Sequence, residues 1–294
     1  YVAAIDRGYS PCYEVIDAPV TFQTNDANGS WTPKNADGKY SGNSYTLRKA
    51  LALSINSITA YLMKKLSPEV VVEYAQRLGI TTPLDPVPPL ALGSSDVTVY
   101  DLVGAYSTFV NKGVWTEPFF ISRIEDKNGN LLHEFAPRTK EVLTEETAYI
   151  MVHMLKAATE RGGTAVGLRG RHKLTGDIAA KTGTTSNYSD GWFVGAVPEL
   201  VTGIWVGGDD RSIHFRTMDL GQGGRMAMPI WGIYMQKVFA DKSIDLKPAS
   251  FPKPAAPLSV EINCERYNNG GLADSVKMEQ ILELPGKKRS DEEI

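Results

Sequence analysis

Few features of this chain point to a metal, a redox group or a polyanion. Its two cysteines, Cys12 and Cys264, stand far apart with no Cys-x-x-Cys or Cys/His cluster, which leaves metal binding and thiol redox chemistry without support. They read as two ordinary buried thiols, with a single long-range disulfide as the alternative in an oxidising compartment. The four histidines, His133, His153, His172 and His214, show no His-Glu-x-x-His or paired spacing, so neither metal catalysis nor a Ser-His couple is supported, and no cofactor is expected. Lys plus Arg at 31 against Asp plus Glu at 34 gives a net charge of −3 and no basic field for nucleic acid. No apolar run approaches the ~18 residues of a membrane span, and no signal pattern opens the chain. There is no initiator Met, and Tyr1 to Gly8 reads as the end of a helix stopped by glycine. The expectation is a fragment with something removed upstream.

What is present is a globular chain. With 294 residues and 42% hydrophobic content it can bury one large core, or one core plus an extension. Residues 11–45, rich in Pro, Asn and Gly around a strand-like Glu14-Val15-Ile16-Asp17, predict a loop-rich surface segment. From Thr46 apolar residues fall at helical spacing (Leu47, Ala50, Leu51, then Ile58, Leu62, Leu66), interrupted at Ser54-Ile55-Asn56-Ser57. Ser67-Pro68 opens another helix that stops at Gly79; Thr98 and Thr144 cap two more. Lys127-Asn128-Gly129 predicts a hairpin turn, and Arg169-Gly170-Arg171-His172-Lys173 a solvated basic turn. Ile178 to Thr182, Trp192 to Val197 and Val201 to Val206 are strands joined too tightly for anything but an antiparallel meander. Gly224 to Phe239 reads as a helix despite Pro229. Helices before and after the meander indicate an α+β domain over residues 1–246, with helices packed on the sheet faces. Residues 247–294 are expected to be a poorly ordered extension.

Two polar interruptions stand out. Ser54-Ile55-Asn56 sits at a helix break. Lys181-Thr182-Gly183-Thr184 ends an apolar strand in a cation, two hydroxyls and a residue without a side chain, as an edge strand receiving an extended, anionic ligand would. Alone, Lys-Thr-Gly also describes a strand running into a turn, and Ser-x-Asn occurs in many chains by chance. Together and in this order they are two of the three elements of the Ser-x-x-Lys, Ser-x-Asn, Lys-Thr-Gly signature. A phosphate-loop reading of Lys181-Thr182 fails because Thr175 and Ala180 stand where glycines are needed.

The stretch from Thr46 to Asn56, Lys181 to Thr185, Asp190-Gly191-Trp192-Phe193-Val194-Gly195, Gly203 to Gly207, Leu92 to Thr98 and Gly223 to Trp231 resemble segments of the transpeptidase domain of class A penicillin-binding proteins. The resemblance spans roughly residues 1–240. It implies the penicillin-binding protein / serine β-lactamase-like fold and a serine acyltransferase that cross-links D-Ala-D-Ala stem peptides of peptidoglycan and is inhibited covalently by β-lactams. It further implies roles by position: Ser54 as proton relay, Lys181 as the cation that favours ionised states nearby, Asn56 on the substrate amide, and Thr182, Gly183 and Thr184 on the substrate, with Thr184 the main carboxylate ligand. The Thr184 N–H would be half of an oxyanion hole. A membrane anchor and a glycosyltransferase domain in the parent protein, working on the outer face of the bacterial cytoplasmic membrane, are implied as well. The Ser-x-x-Lys element is absent. Ser250-Phe251-Pro252-Lys253 matches it formally, but follows Lys-Thr-Gly and carries a proline that bars the helix needed to bring serine and lysine together. The fragment is therefore expected to lack its nucleophile and general base. A β-lactamase or carboxypeptidase is the rival within the class, though no base for an activated water is visible. A non-catalytic scaffolding or sensing module of the same fold is the alternative outside it.

Overall fold

In the computed structural model, which describes residues 1–24 and 29–269, the chain opens with α1 (Val2–Asp6) and a loop-rich stretch. That stretch holds two small antiparallel ribbons, β1 (Glu14–Ile16) with β4 (Ser44–Thr46) and β2 (Phe22–Gln23) with β3 (Ser30–Trp31). Helices follow: α2 (Leu47–Leu53), α3 (Asn56–Leu66), α4 (Pro68–Arg77) and α5 (Val99–Val110). Thr46 and Thr98 cap α2 and α5 as the sequence predicts, their hydroxyls accepting from Lys49 N–H and Asp101 N–H. Each satisfies an amide that a first helical turn leaves open. Beyond α5, β5 (Val114–Thr116) pairs with β8 (Thr139–Glu141), enclosing the hairpin β6 (Arg123–Glu125) and β7 (Leu131–Glu134). Thr144 then caps α6 (Glu145–Lys156), and α7 (Gly167–Gly170) is a single turn.

The central sheet is β9 (Ala179–Thr184), β10 (Asp190–Val197) and β11 (Leu200–Gly207), all antiparallel in the order β11-β10-β9. Two-residue alternation sends successive β9 side chains to opposite faces. Ala179 joins a core built with α1, α2, α5 and α6, and Ala180 joins a second core beneath α9 (Gly223–Ala240). In that second core Phe193 and Trp231 are fully buried with ring centroids 5.4 Å apart. A Cβ on Gly195 would stand 2.5 Å from the Trp231 ring, so the indole lies against bare backbone. The result is helix, sheet, helix, with β9 at one edge and no further strand beside it among the described residues. The remaining helices are α8 (Met218–Gly221) and α10 (Cys264–Asn268). No helix among the described residues is long and apolar enough to cross a membrane.

Three regions differ from expectation. The 11–45 segment, predicted as surface loop, contributes Cys12, Val15, Asp17 and Phe22 to the interior. Burial works against charge on Asp17, but hydrogen bonds from Ser57 Oγ (2.6 Å), Ser41 N–H (2.7 Å) and Asn35 Nδ2 (2.8 Å) outweigh it and hold the carboxyl below its ordinary range. One buried carboxylate thus ties this loop to the first turn of α3. In the basic turn, His172 is buried with its ring against Gly232 of α9, and Arg169 donates to Leu174 O. The cysteines are not free thiols: Cys12 and Cys264 are joined, with Cα atoms 5.1 Å apart. Around that bond residues 248–264 lie on the domain. Phe251 and Val260 are buried, Phe251 N–H donates to Asp177 Oδ2, and Ser10 Oγ donates to Glu261 O. The rest of the expected extension, 270–294 with its charged run at 287–293, lies outside the described residues.

Candidate active site

The site begins where α2 stops. Ser54 takes the left-handed conformation (φ 59°, ψ 49°), its N–H bonded to Leu51 O and that of Ile55 to Ala50 O. Such a conformation costs a non-glycine residue about 1 kcal/mol or more, so neighbouring contacts must hold it. It turns the chain sharply into α3 and leaves the serine hydroxyl beside the sheet edge.

Lys181 comes to meet it. Its Nζ donates to Ser54 Oγ at 2.8 Å, across 127 residues of sequence, and to the neighbouring Thr182 O at 2.8 Å. No carboxylate among the described residues pairs with it. Burial lowers its pKa from the ordinary 10.5 to about 8, because the charged ammonium has lost water without gaining an anion. As the ammonium donates to Ser54, the serine keeps its own hydrogen for a third group.

Thr185 N–H donates to Asp190 O on β10. Backbone groups alternate direction along an antiparallel strand, so the N–H groups of Thr184 and Thr182 face the unpaired edge of β9. Thr184 is exposed, and its Oγ1 accepts from Gly223 N–H at 3.0 Å, a bond that leaves its hydroxyl hydrogen unused. Thr182 is part-buried and its Oγ1 donates to Thr164 Oγ1 at 3.1 Å. A Cβ on Gly183 would lie 3.0 Å from Trp192 Cβ, close enough that a side chain would crowd the tryptophan. Asn56, at the first turn of α3, donates its Nδ2 to Lys34 O at 2.8 Å, so a loop carbonyl takes one hydrogen of the amide.

Of the residues singled out in the sequence, Ser54 and Lys181 touch directly, while Thr182, Gly183 and Thr184 line the neighbouring strand edge. Ser250 and Lys253 are both exposed on irregular backbone flanking the buried Phe251, and form no helical pair. Sequence reasoning missed Lys34 and Thr164, and gave Gly223, named only within a resembling segment, no part in the site. The glycine pairs 162–163 and 223–224 were the available signal, since close backbone approach is what glycine permits. A Cβ on Gly223 would stand 2.3 Å from Gly183 O and 2.4 Å from Trp192 O. Gly223→Ala should therefore push α9 off β9, destabilising the fold by about 2–3 kcal/mol and weakening ligand capture; an unchanged melting temperature would contradict this packing.

Chemically, the arrangement offers an ammonium of lowered pKa, a hydroxyl able to pass a proton onward, and an open strand edge with outward N–H groups. An extended peptide can pair along that edge, with an anionic end at Thr184.

Known proteins resemble this chain over most of its length. The family described as penicillin binding protein transpeptidase domain matches residues 1–206. Penicillin-binding protein 1A of Aquifex aeolicus is 37% identical over 251 residues, covering 84% of this chain and 33% of that protein. Penicillin-binding protein 1A of Neisseria lactamica is 34% identical over 247 residues, covering 80% and 30%. The chain thus spans about a third of the length of these relatives. Among solved structures, penicillin-binding protein 1A from Haemophilus influenzae superposes with a TM-score of 0.73 at 25% identity, covering 88% of this chain and 42% of that one. PonA1 from Mycobacterium tuberculosis gives 0.71 at 25% identity, covering 88% and 72%.

Proposed function

Because the chain belongs to the penicillin-binding protein transpeptidase family, as a domain of the class A, 1A type, we propose that it forms the substrate cleft of a serine D-Ala-D-Ala transpeptidase that cross-links peptidoglycan stem peptides and is acylated by β-lactams. The observation that carries this reading is the 2.8 Å bond from Lys181 Nζ to Ser54 Oγ at the unpaired end of β9.

The donor stem peptide lies along β9, its terminal carboxylate at Thr184 and its amide near Asn56, which must exchange the Lys34 carbonyl for substrate. A serine outside these 294 residues attacks the penultimate D-Ala carbonyl. The C–N bond to the terminal D-Ala breaks, and the serine's proton reaches the leaving amine through Ser54, whose hydroxyl accepts one hydrogen from Lys181 and passes on another. The Thr184 N–H, facing outward, holds the carbonyl oxygen as it becomes negative, an interaction worth about 3 kcal/mol per donor in comparable sites. An amine from a neighbouring stem then takes the acyl group and returns the proton. Lys181, titrating near 8, stays mostly charged at neutral pH and favours the anionic states of this sequence.

The parent protein is read as a membrane-anchored enzyme with a glycosyltransferase domain, its transpeptidase domain outside the cytoplasmic membrane. The Cys12–Cys264 bond supports that placement, since disulfides persist in oxidising compartments. A non-catalytic module of this fold is the second reading, since no helical Ser-x-x-Lys occurs among the described residues. Fluorescent penicillin separates the two: the full-length protein should be labelled stoichiometrically and covalently, and the 294-residue chain not at all. No labelling of the full-length protein favours the non-catalytic module, while labelling of the shorter chain means that its nucleophile is already among these residues.

A further inference from the structure

The last rung between β9 and β10 is completed by a side chain. Thr185 N–H donates to Asp190 O at 3.2 Å, but the return bond from Asp190 N–H goes to Thr185 Oγ1 at 2.9 Å, while Thr185 O accepts Tyr188 N–H and closes the turn. A regular antiparallel pair would use two carbonyls here. The strand end therefore stays paired only while the Thr185 hydroxyl keeps its oxygen toward Asp190. The residue before it is Thr184, whose N–H faces the open edge.

Asp190 orients that hydroxyl. Ser189 Oγ lies 2.6 Å from Asp190 Oδ2, 2.9 Å from Asn187 Oδ1 and 3.1 Å from Thr185 Oγ1. Serine has one hydroxyl hydrogen, and the carboxylate, the nearest of the three and the only charged acceptor, takes it. Thr185 must then donate across the remaining contact. Three bonds close a ring running in one sense: Thr185 Oγ1–H to Ser189, Ser189 Oγ–H to Asp190, and Asp190 N–H back to Thr185. Ser189 is buried. The other carboxylate oxygen accepts from Trp205 Nε1 on β11 at 2.9 Å. Asp190 stands opposite Gly207, where a Cβ would lie 2.5 Å from the Trp205 ring and 3.1 Å from Asp190 Oδ1, so bare backbone lets indole and carboxylate meet. One carboxylate thus ties together the ends of all three strands.

We infer that Asp190 is a positioning residue for acyl transfer: through Ser189 and Thr185 it fixes the end of β9, and with it the outward N–H of Thr184 that receives the developing oxyanion. It acts through the ring of bonds and not by contact with substrate. The threonine hydroxyls of β9 that take the substrate carboxylate are left as they are. This inference rests on the transpeptidase reading above.

The test is β-lactam acylation of the full-length protein at a temperature where every variant is folded, with the pre-acylation binding constant resolved from the acylation rate of the bound complex. Asp190→Ala removes both acceptor oxygens. It should slow the bound step about tenfold, a part of what losing an oxyanion donor outright costs, with binding within about threefold of wild type. Asp190→Asn should bring the rate back to within about threefold: its Oδ1 still accepts from Trp205, and its Nδ2 donates to Ser189 Oγ, whose hydrogen passes to Asn187 Oδ1. Ser189→Ala breaks the same ring at another bond, so it should slow the bound step as Asp190→Ala does, and the double variant should be little slower than either. Wild-type rates in Asp190→Ala and Ser189→Ala overturn the inference, whatever their melting temperatures, as does a slow Asp190→Ala that asparagine fails to rescue. Should Asp190→Ala not fold, Ser189→Ala alone decides. Failure of the wild-type protein itself to acylate overturns the transpeptidase reading and this inference with it.

Discussion

Replacing Lys181 by methionine should raise the melting temperature of this domain while abolishing β-lactam capture by the full-length protein. The lysine is charged at neutral pH although burial has brought its pKa to about 8 from 10.5. By linkage, holding that charge in the folded state costs about 3 kcal/mol relative to the unfolded chain. Methionine fills similar volume without the charge, but forfeits the bonds to Ser54 Oγ and Thr182 O. The net gain should be about 1 kcal/mol, which for a domain of this size is a shift of about 2–4 °C. The sign is set by pH. The native state binds fewer protons than the unfolded chain between pH 8 and 10.5, so wild-type stability from this group rises through that window. The advantage of Lys181→Met should accordingly be complete below pH 8, shrink above it, and vanish near 10.5. Scanning calorimetry of both proteins at pH 7 and pH 10 decides the matter; a variant less stable than wild type at pH 7 shows that the lysine is not a stored cost of function.

The second large effect belongs to the disulfide. Cys12 and Cys264 close a loop across 252 residues of sequence. The chain-entropy relation puts the ceiling for such a loop at about 5 kcal/mol, and about 3 kcal/mol is the typical yield. The Cys12→Ser, Cys264→Ser double variant should therefore melt about 6–12 °C lower than the oxidised protein. The first segment to open should be 248–264, whose remaining anchors include buried Phe251 and Val260, the bond from Ser10 Oγ to Glu261 O, and the bonds of Asp177, just before β9, whose N–H donates to Ala249 O and whose Oδ2 accepts from Phe251 N–H. Limited proteolysis should cut there in the variant and not in the oxidised protein. Equal melting temperatures would show that packing alone holds the segment. Asp177 lies four residues before Lys181, so the same variant tests whether the strap helps set the active-site strand.

The helices and the meander were legible because their signals are local. Thr46, Thr98 and Thr144 precede apolar residues at helical spacing, and the tight link at Pro198-Glu199 forces β10 and β11 together. The buried Asp17 was not legible in the same way. A carboxylate among Asn, Gly and Pro looks solvated until Ser57 and Asn35, brought in from elsewhere in the chain, supply donors for it. His172 sat in a run of cations that predicts a solvated turn, yet α9 covers it at Gly232. The cysteine pair could not be decided from spacing, because a sequence separation of 252 carries no information about whether the two thiols meet.

For the site the division is similar. By themselves, residue types and their order marked a helix break at Ser54-Ile55-Asn56 and a strand edge at Lys181–Thr184, since both are local consequences of side chains competing for, or leaving open, backbone hydrogen bonds, and the family resemblance grouped the two as one candidate site. Only the tertiary structure decided what each of those groups is bonded to. It set Lys181 on Ser54, gave the hydrogen of Thr182 to Thr164, brought Gly223 N–H to Thr184, and placed Lys34 O on Asn56. Those partners lie 18 to 127 residues away in the chain, and a hydrogen bond at 3 Å is fixed by where packed elements come to rest rather than by any pattern along the sequence.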